Sequence, residues 1–524
     1  LTKQTFLHGT LILVGAGFIT KVLGFVYRIA LSRLIGDEGM GLFQMAFPIL
    51  ILILTLTTAG LPVAISKLVS EAEATGDESR VRSILVVSLI IVTGLATLFT
   101  ILVIAAAPLI AHTLLTDSRA LYALWGIAPV IPIVAVSSVF RGYFQGRQHM
   151  NPYAVSQIVE QVVRIFTVLL LARLLFPYGV EYAAAGAMIG MVIGEGAGML
   201  ILLRSYRRDP KRPALRFPMR NIREGWDHFA STTKQMMRIT IPVTASRLVG
   251  SLSYAVEPVV VSQSLALAGI TVAASTALYG QLEGMAIPLV FFPSFITYAL
   301  SVSLVPSISE AAAKGQVRLV EHRLNQAIRL SMIVGGPCAI ILFMLAEPLT
   351  LLLYHNSDVA RLLQIMSPFA LFLYLQGPLS AVLQGLDKAK DAMRNSIYGA
   401  VIKTALIFLL GSQPALGIDG VVMAINCGII IVTALHFISV IHYVPFTLMF
   451  WDWVKLLLAV AGMGTVLHVV MNRADGTLFA SVGLAIAVSL ITYAASLIFL
   501  GLLKKEDVQR VPYVGKWLSP LFPR

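Results

Sequence analysis

The first long apolar run of this 524-residue chain, from about His8 to Leu34, contains Lys21, Arg28 and Arg33. A run of that length reads as a membrane-spanning helix, and a charge in mid-bilayer costs at least ~2.5–3.5 kcal/mol unless it faces water, a partner or a bound anion. Any fold that inserts this run must therefore give it a wet interior. Gly17, Lys21, Gly24 and Arg28 recur at i, i+4, i+7 and i+11, one stripe of an α-helix, while Leu13, Phe18, Val22 and Phe25 cover the remaining arc. One face is small and cationic, suited to lining a cavity that invites something negative.

Apolar residues make up 57% of the chain and charged residues 12%. That balance excludes an ordinary soluble protein and predicts an all-α, polytopic membrane protein. The net charge of +13 falls mainly in short segments between apolar runs, as juxtamembrane anchors do, so membrane lipids are the expected partner and nucleic acid is not. Cys338 and Cys427 lie inside apolar runs without metal-ligand spacing and read as small core residues. The first run is too long for a cleavable signal peptide, is interrupted by Lys21 and lacks a small-residue cleavage site, so it is expected to stay in the mature protein.

Helix-compatible apolar runs fall at about 8–34, 42–66, 84–106, 121–140, 153–175 and 182–203. A basic stretch follows, and then runs at about 238–265, 276–305, 327–346, 362–384, 395–411, 420–440, 454–471 and 477–503. The expectation is fourteen transmembrane helices: an N-lobe of six over 1–210, a basic linker over 211–236, a C-lobe of six over 237–445, and two last helices with a basic tail over 446–524. Lys and Arg concentrate in alternate connections, around Arg80 and Arg82, Arg141 and Arg147, the linker, Lys314 to Arg323, Lys388 to Arg394 and the tail. The opposite connections, at 36–41, 177–181 and 266–275, are nearly free of them, which predicts that both termini are cytoplasmic.

The two sets of six match when slid by about 239 residues, which predicts pseudo-symmetric lobes. Pro129 aligns with Pro368, Phe144-Gln145-Gly146 with Leu383-Gln384-Gly385, and Val162-Val163-Arg164 with Val401-Ile402-Lys403. Each unit has an even helix count, so the repeat is parallel and its lobes face one another across a cavity. Pro48, Pro288, Pro293, Pro337 and Pro378 are candidate bending points, with fixed kinks as the alternative.

The first helix of the second unit carries a polar stripe of its own, Thr240, Thr244, Arg247, Ser251 and Tyr254. Lys21, Arg28 and Arg247 are therefore candidates for a cationic substrate cavity, the alternative being structural charges paired with Glu160, Glu195 or Glu257. Arg164 has Glu160 one turn before it, and an i, i+4 ion pair would satisfy both. Lys403, its repeat counterpart, has no such acid and joins the cavity candidates. Glu195 lies in Gly-Glu-Gly-Ala-Gly, which reads as a close helix contact with a buried partner. Glu257 fits either an ion-coupling site or neutralisation of Arg247. No catalytic constellation, metal spacing or Walker-type loop is visible, so neither an enzyme nor a cofactor is expected.

The segments TKVLGFVYRIALSRLIG at 20–36, GLPVAISKLVSEA at 60–72, FRGYFQGRQHMNP at 140–152 and GVEYAAAGA at 179–187 resemble the polysaccharide-exporter and lipid-flippase branch of the multidrug/oligosaccharidyl-lipid/polysaccharide transporter superfamily. The resemblance implies fourteen helices in two lobes and alternating access in the bacterial cytoplasmic membrane. Its implied substrate is an undecaprenyl-pyrophosphate-linked glycan such as lipid II, moved during spore cortex synthesis, with a peptidoglycan synthase as a further partner. It also implies first-helix cavity cations, in the segment of Lys21 and Arg28, and a lipid-tail groove on the last two helices. Where the family pattern places its arginine, this chain has Tyr27, with Arg28 one step and ~100° further round the helix. The rival readings are a cation-coupled exporter of organic cations, which would want acids on the first-lobe stripe, and a non-transporting scaffold for cell-wall synthases.

Overall fold

The computed structural model describes residues 6–502 apart from 59, 211, 214, 216–221, 447–449 and 475, with the side chains of 6–14 and 222–228 undescribed. The core of the expected linker and the basic tail from Lys504 lie outside the described residues. Helix dominates, and no strand occurs among the described residues. Among the described residues, eleven helical segments are long and apolar enough to cross a membrane. The first, Gly15–Thr75, covers two of the expected spans. Runs 153–175 and 238–265 are helical but fall outside the eleven, and they are the ones that carry Glu160, Arg164 and Arg173, and Arg238, Arg247 and Glu257.

The chain divides into two compact units, residues 1–285 with 407–418, and residues 286–406 with 419–524. The first begins with α1 (Phe6–Thr58), α2 (Leu61–Thr75), α3 (Glu78–Leu109), α4 (Ala120–Ile127) and α5 (Val130–Gly146). It continues through α6 (Asn151–Leu175), α7 (Val180–Arg208), α8 (Ile222–Leu267) and α9 (Val272–Tyr279). Helix α8 thus starts inside the segment read as linker. The connection expected at 36–41 is no open loop: the helix runs through it with a single break at Gly36, whose φ of 68° favours glycine.

In the second unit the helices are α10 (Ile287–Phe291), α11 (Ser294–Ala313), α12 (Val317–Met344), α13 (Ala346–Tyr354) and α14 (Val359–Met366). Then come α15 (Ala370–Gly385), α16 (Ala389–Gly411), α17 (Ile418–Tyr443), α18 (Phe450–Arg473) and α19 (Leu478–Phe499), α16 ending in residues grouped with the first unit. The span expected over 276–305 is broken between α10 and α11 at Pro293, because proline lacks the N–H that would continue the ladder.

The repeat read from the sequence is present in the packing. Pro129 interrupts α4 and α5, and Pro368 sits in the 3-10 turn between α14 and α15. A β-carbon on Gly146 would meet Ser66 O at 2.7 Å and Val69 Cβ at 2.8 Å. The residues 239 positions on repeat this contact: a β-carbon on Gly385 would meet Val305 O at 2.9 Å and Ile308 Cβ at 2.7 Å. Each unit therefore seats its second and fourth expected spans on a glycine.

Glycine also sets how α6 and α7 approach. Gly186, Gly190, Gly194 and Gly198 share one face of α7, and a β-carbon on them would meet Leu171 O, Val168 Cα, Arg164 Cβ and Glu160 Cβ at 2.8, 2.5, 2.6 and 3.0 Å. Small residues at every fourth position let the two backbones come close, as membrane helices lacking a hydrophobic driving force require. The same pairing recurs between α16 and α17, where a β-carbon on Gly428 would meet Lys403 Cβ at 2.9 Å.

Candidate functional site

Close packing of α6 on α7 carries two acids into the first unit, since Glu160 and Glu195 flank the glycine face. Arg164 donates from a single nitrogen, Nη2, to both, Glu195 Oε1 at 2.9 Å and Glu160 Oε1. From α5, Arg141 Nη2 also donates to both, Glu160 Oε2 at 2.9 Å and Glu195 Oε2 at 3.4 Å. The four groups form a neutral quartet of two guanidiniums and two carboxylates, with side-chain exposures of 11–18%. Buried ions need this mutual pairing, because each alone would carry several kcal/mol of desolvation. Arg141, one of the basic residues behind the expected cytoplasmic side, turns its guanidinium inward, with Cζ over the Tyr153 ring, 5.6 Å from its centroid.

The cationic stripe of α1 passes α6 at Gly24. Lys21 is exposed and Arg28 half-buried. A β-carbon on Gly17 would meet open space, and one on Gly24 would stand 3.6 Å from Gln161 Nε2. Tyr27 is buried and lies within electrostatic reach of Arg164, whereas Arg28 is within reach of Tyr254 on α8. Neighbours in sequence, Tyr27 and Arg28 thus come within electrostatic reach of different residues, Arg164 and Tyr254. On α8, Arg247 is exposed, Thr240 and Ser251 are buried, and Glu257 is buried among Tyr254, Tyr279 and Glu283. The structure places Lys21, Arg28, Arg247 and Glu257 in the first unit and Lys403 in the second, half-buried against Gly428.

Sequence reading passed over a second polar cluster, where α1 meets α9 and the turn after it. Gln44 Nε2 donates to Glu283 O at 2.9 Å, and Gln281 Nε2 donates to Asp37 Oδ2 at 2.6 Å. Thr276 Oγ1 donates to Asp117 Oδ2 at 2.7 Å, and Arg119 joins Asp117 to Glu38, at 2.8 and 2.7 Å. Burial works to raise the Asp117 carboxyl, and the hydrogen bonds from Arg119 and Thr276 outweigh it, holding the group below its ordinary range. The acids Asp37 and Glu38 among glycines 36, 39 and 41 were the available clue. Among the described residues no group of His, Cys, Asp and Glu could hold a metal ion.

Residues 6–312, more than half of the chain, match the family described as polysaccharide biosynthesis protein. The chain belongs to the polysaccharide biosynthesis protein family. Residues 282–409 also match the MatE family. Among this family member's relatives, stage V sporulation protein B of Bacillus subtilis (strain 168) is 45% identical over 518 residues, covering 98% of this chain and 99% of that protein. Lipid II flippase MurJ of the same organism is 28% identical over 448 residues, covering 82% and 81%. Among solved structures, lipid II flippase MurJ in an inward closed conformation aligns with a TM-score of 0.71 at 15% identity, over 93% of this chain and 98% of that one. A multidrug resistance MATE family transporter in an inward-facing conformation aligns with a TM-score of 0.64 at 16% identity, over 80% and 93%. The structural likenesses establish the fold: an all-helical, multi-pass membrane protein of the MATE and MurJ architecture.

Proposed function

We propose that this chain is a flippase that moves a lipid-linked peptidoglycan precursor such as lipid II across the cytoplasmic membrane, serving spore cortex synthesis. It is a membrane transporter and not an enzyme, as its kinship with stage V sporulation protein B and MurJ indicates. The observation that carries the reading is the separation of two charge systems in one unit. The acids Glu160 and Glu195 are engaged by Arg141 and Arg164, while Lys21 is exposed on α1 and Arg28 lies within electrostatic reach of Tyr254 on α8. A pyrophosphate accepts charge-assisted hydrogen bonds from Lys and Arg, its sugars need a wet cavity, and its prenyl tail stays in lipid.

In this reading Lys21, Arg28, Arg247 and Lys403 hold the pyrophosphate while the lobes 1–210 and 237–445 alternate between inward-open and outward-open. Fourteen helices cross the membrane, both termini are cytoplasmic, α18 and α19 guide the lipid tail, and a peptidoglycan synthase receives the product. An organic-cation exporter would want acids on the α1 stripe, which carries Lys21 and Arg28 instead.

The test is transbilayer movement of lipid II in proteoliposomes, read as chemical access to its headgroup from outside. Protein-dependent exposure, lost in Arg28→Ala with Arg247→Ala, supports the reading. No exposure from correctly inserted wild type under an imposed potential and ion gradient removes lipid II as substrate.

A further inference from the structure

Asn325 and Arg329 of α12 and Asp452 and Trp453 of α18 converge on one pocket of the second unit. The pocket is half-open, and its volume of about 440 Å³ includes space that belongs to open solvent. The floor is apolar, built from Met332, Ile333, Leu456 and Leu502. It rests on a buried cluster with Ala459, Met463 and Tyr493, and Tyr493 Oη donates to Ile333 O at 2.9 Å. Asp452 stands in the first turn of α18, half-buried, and its carboxylate has no hydrogen-bond or ion-pair partner among the described residues.

The pocket's level in the membrane is marked by its neighbours. Phe450 and Trp451, at the start of α18, are 61% and 72% exposed. Aromatic side chains of this kind sit at the headgroup level of a bilayer. A pocket there with one cation, one anion, an indole and an amide above an apolar floor selects for an amphiphile bearing both charges. A purely anionic headgroup meets Asp452, and a purely cationic one meets Arg329.

We propose that this pocket binds the headgroup of a zwitterionic aminophospholipid of the surrounding bilayer. The phosphate accepts hydrogen bonds from Arg329 and Asn325. The primary ammonium donates to Asp452 and lies against the Trp453 ring. This lipid is a resident of the membrane and separate from the transported one.

The test uses the full-length protein in detergent micelles loaded with equal amounts of phosphatidylethanolamine, phosphatidylcholine and phosphatidylglycerol of matched acyl chains. Retained lipid is counted by native mass spectrometry. Wild type should retain phosphatidylethanolamine about tenfold over phosphatidylglycerol. Phosphatidylcholine should fall between, because its quaternary ammonium reaches the indole but cannot donate to the carboxylate. Asp452→Asn should erase the discrimination against phosphatidylglycerol, Asp452→Glu should keep it, and Arg329→Gln should lower retention of phosphatidylethanolamine. Equal retention of the three lipids by wild type overturns the proposal whether or not the variants fold, as does an unchanged preference in a folded Asp452→Asn protein.

Discussion

Gly41 of α1 lies so close to Thr276 of α9 that a β-carbon on the glycine would stand 1.9 Å from the Thr276 carbonyl oxygen. The contact is reciprocal, since a β-carbon on Gly280 would stand 2.0 Å from Asp37 O and 2.5 Å from Gly41 N. The hydrogen bonds of Gln281 to Asp37 and of Thr276 to Asp117 close over this seam. Backbone-to-backbone contact of this sort leaves no room for even one methyl group.

Gly41→Ala should therefore loosen the seam between α1 and α9, at a cost of about 1–3 kcal/mol for an overpacked contact. A cysteine at Gln281 should then react faster with a membrane-impermeant maleimide than it does beside Gly41. An unchanged labelling rate and thermal midpoint would show that the seam absorbs the methyl group.

The quartet makes a prediction about coupling. Glu195→Gln or Arg164→Gln alone leaves an uncompensated charge and should cost about 3 kcal/mol. The double substitution removes charges of both signs and should cost less than the sum. Thermal unfolding of the four proteins in one detergent closes the cycle, and additive losses would mean that the pairs act independently.

Arg28 and Tyr27 are adjacent in sequence and face different surroundings, so substitutions there should separate function from stability. Arg28→Gln, which removes a charge at the stripe, should slow lipid II exposure in proteoliposomes about tenfold, the worth of one charge-assisted hydrogen bond. Tyr27→Phe, which keeps the buried ring, should leave the rate within about twofold on the same scale. The opposite ranking would move the cationic site to the quartet side of α1.

His149 supplies the pH dependence. Burial pushes its imidazole below the ordinary value of 6.5; Asp209 pulls upward and Arg147 adds to the depression. With the folded pKa below the unfolded one, the unfolded chain takes up a proton first as pH falls. Stability contributed by the neutral ring is present above about 6.5 and is lost as pH drops through the folded pKa. The thermal midpoint of wild type should therefore fall more steeply between pH 7 and pH 5 than that of His149→Phe, whose ring can still pack on Phe144. Parallel slopes for the two proteins would assign the acid sensitivity to other groups.

What the linear chain determines is local. Apolar length set the helices, and the spacing of Gly17, Lys21, Gly24 and Arg28 set which residues share a face, because both follow from the 1.5 Å rise and 3.6-residue turn of the helix. The repeat was legible too, since duplicated packing keeps its glycines and prolines in register, as Gly146 with Gly385 and Pro129 with Pro368 show. Only the tertiary structure decided which charges meet. That Arg141 of α5, and not Lys21 of α1, completes the pair Glu160 and Glu195 depends on the rotation and depth of each helix against the next. Periodicity leaves both free. The Gly41 contact with Thr276 and the meeting of Arg329 with Asp452 in one pocket join residues far apart in the chain. Those distances are set by close packing, which no single helix encodes.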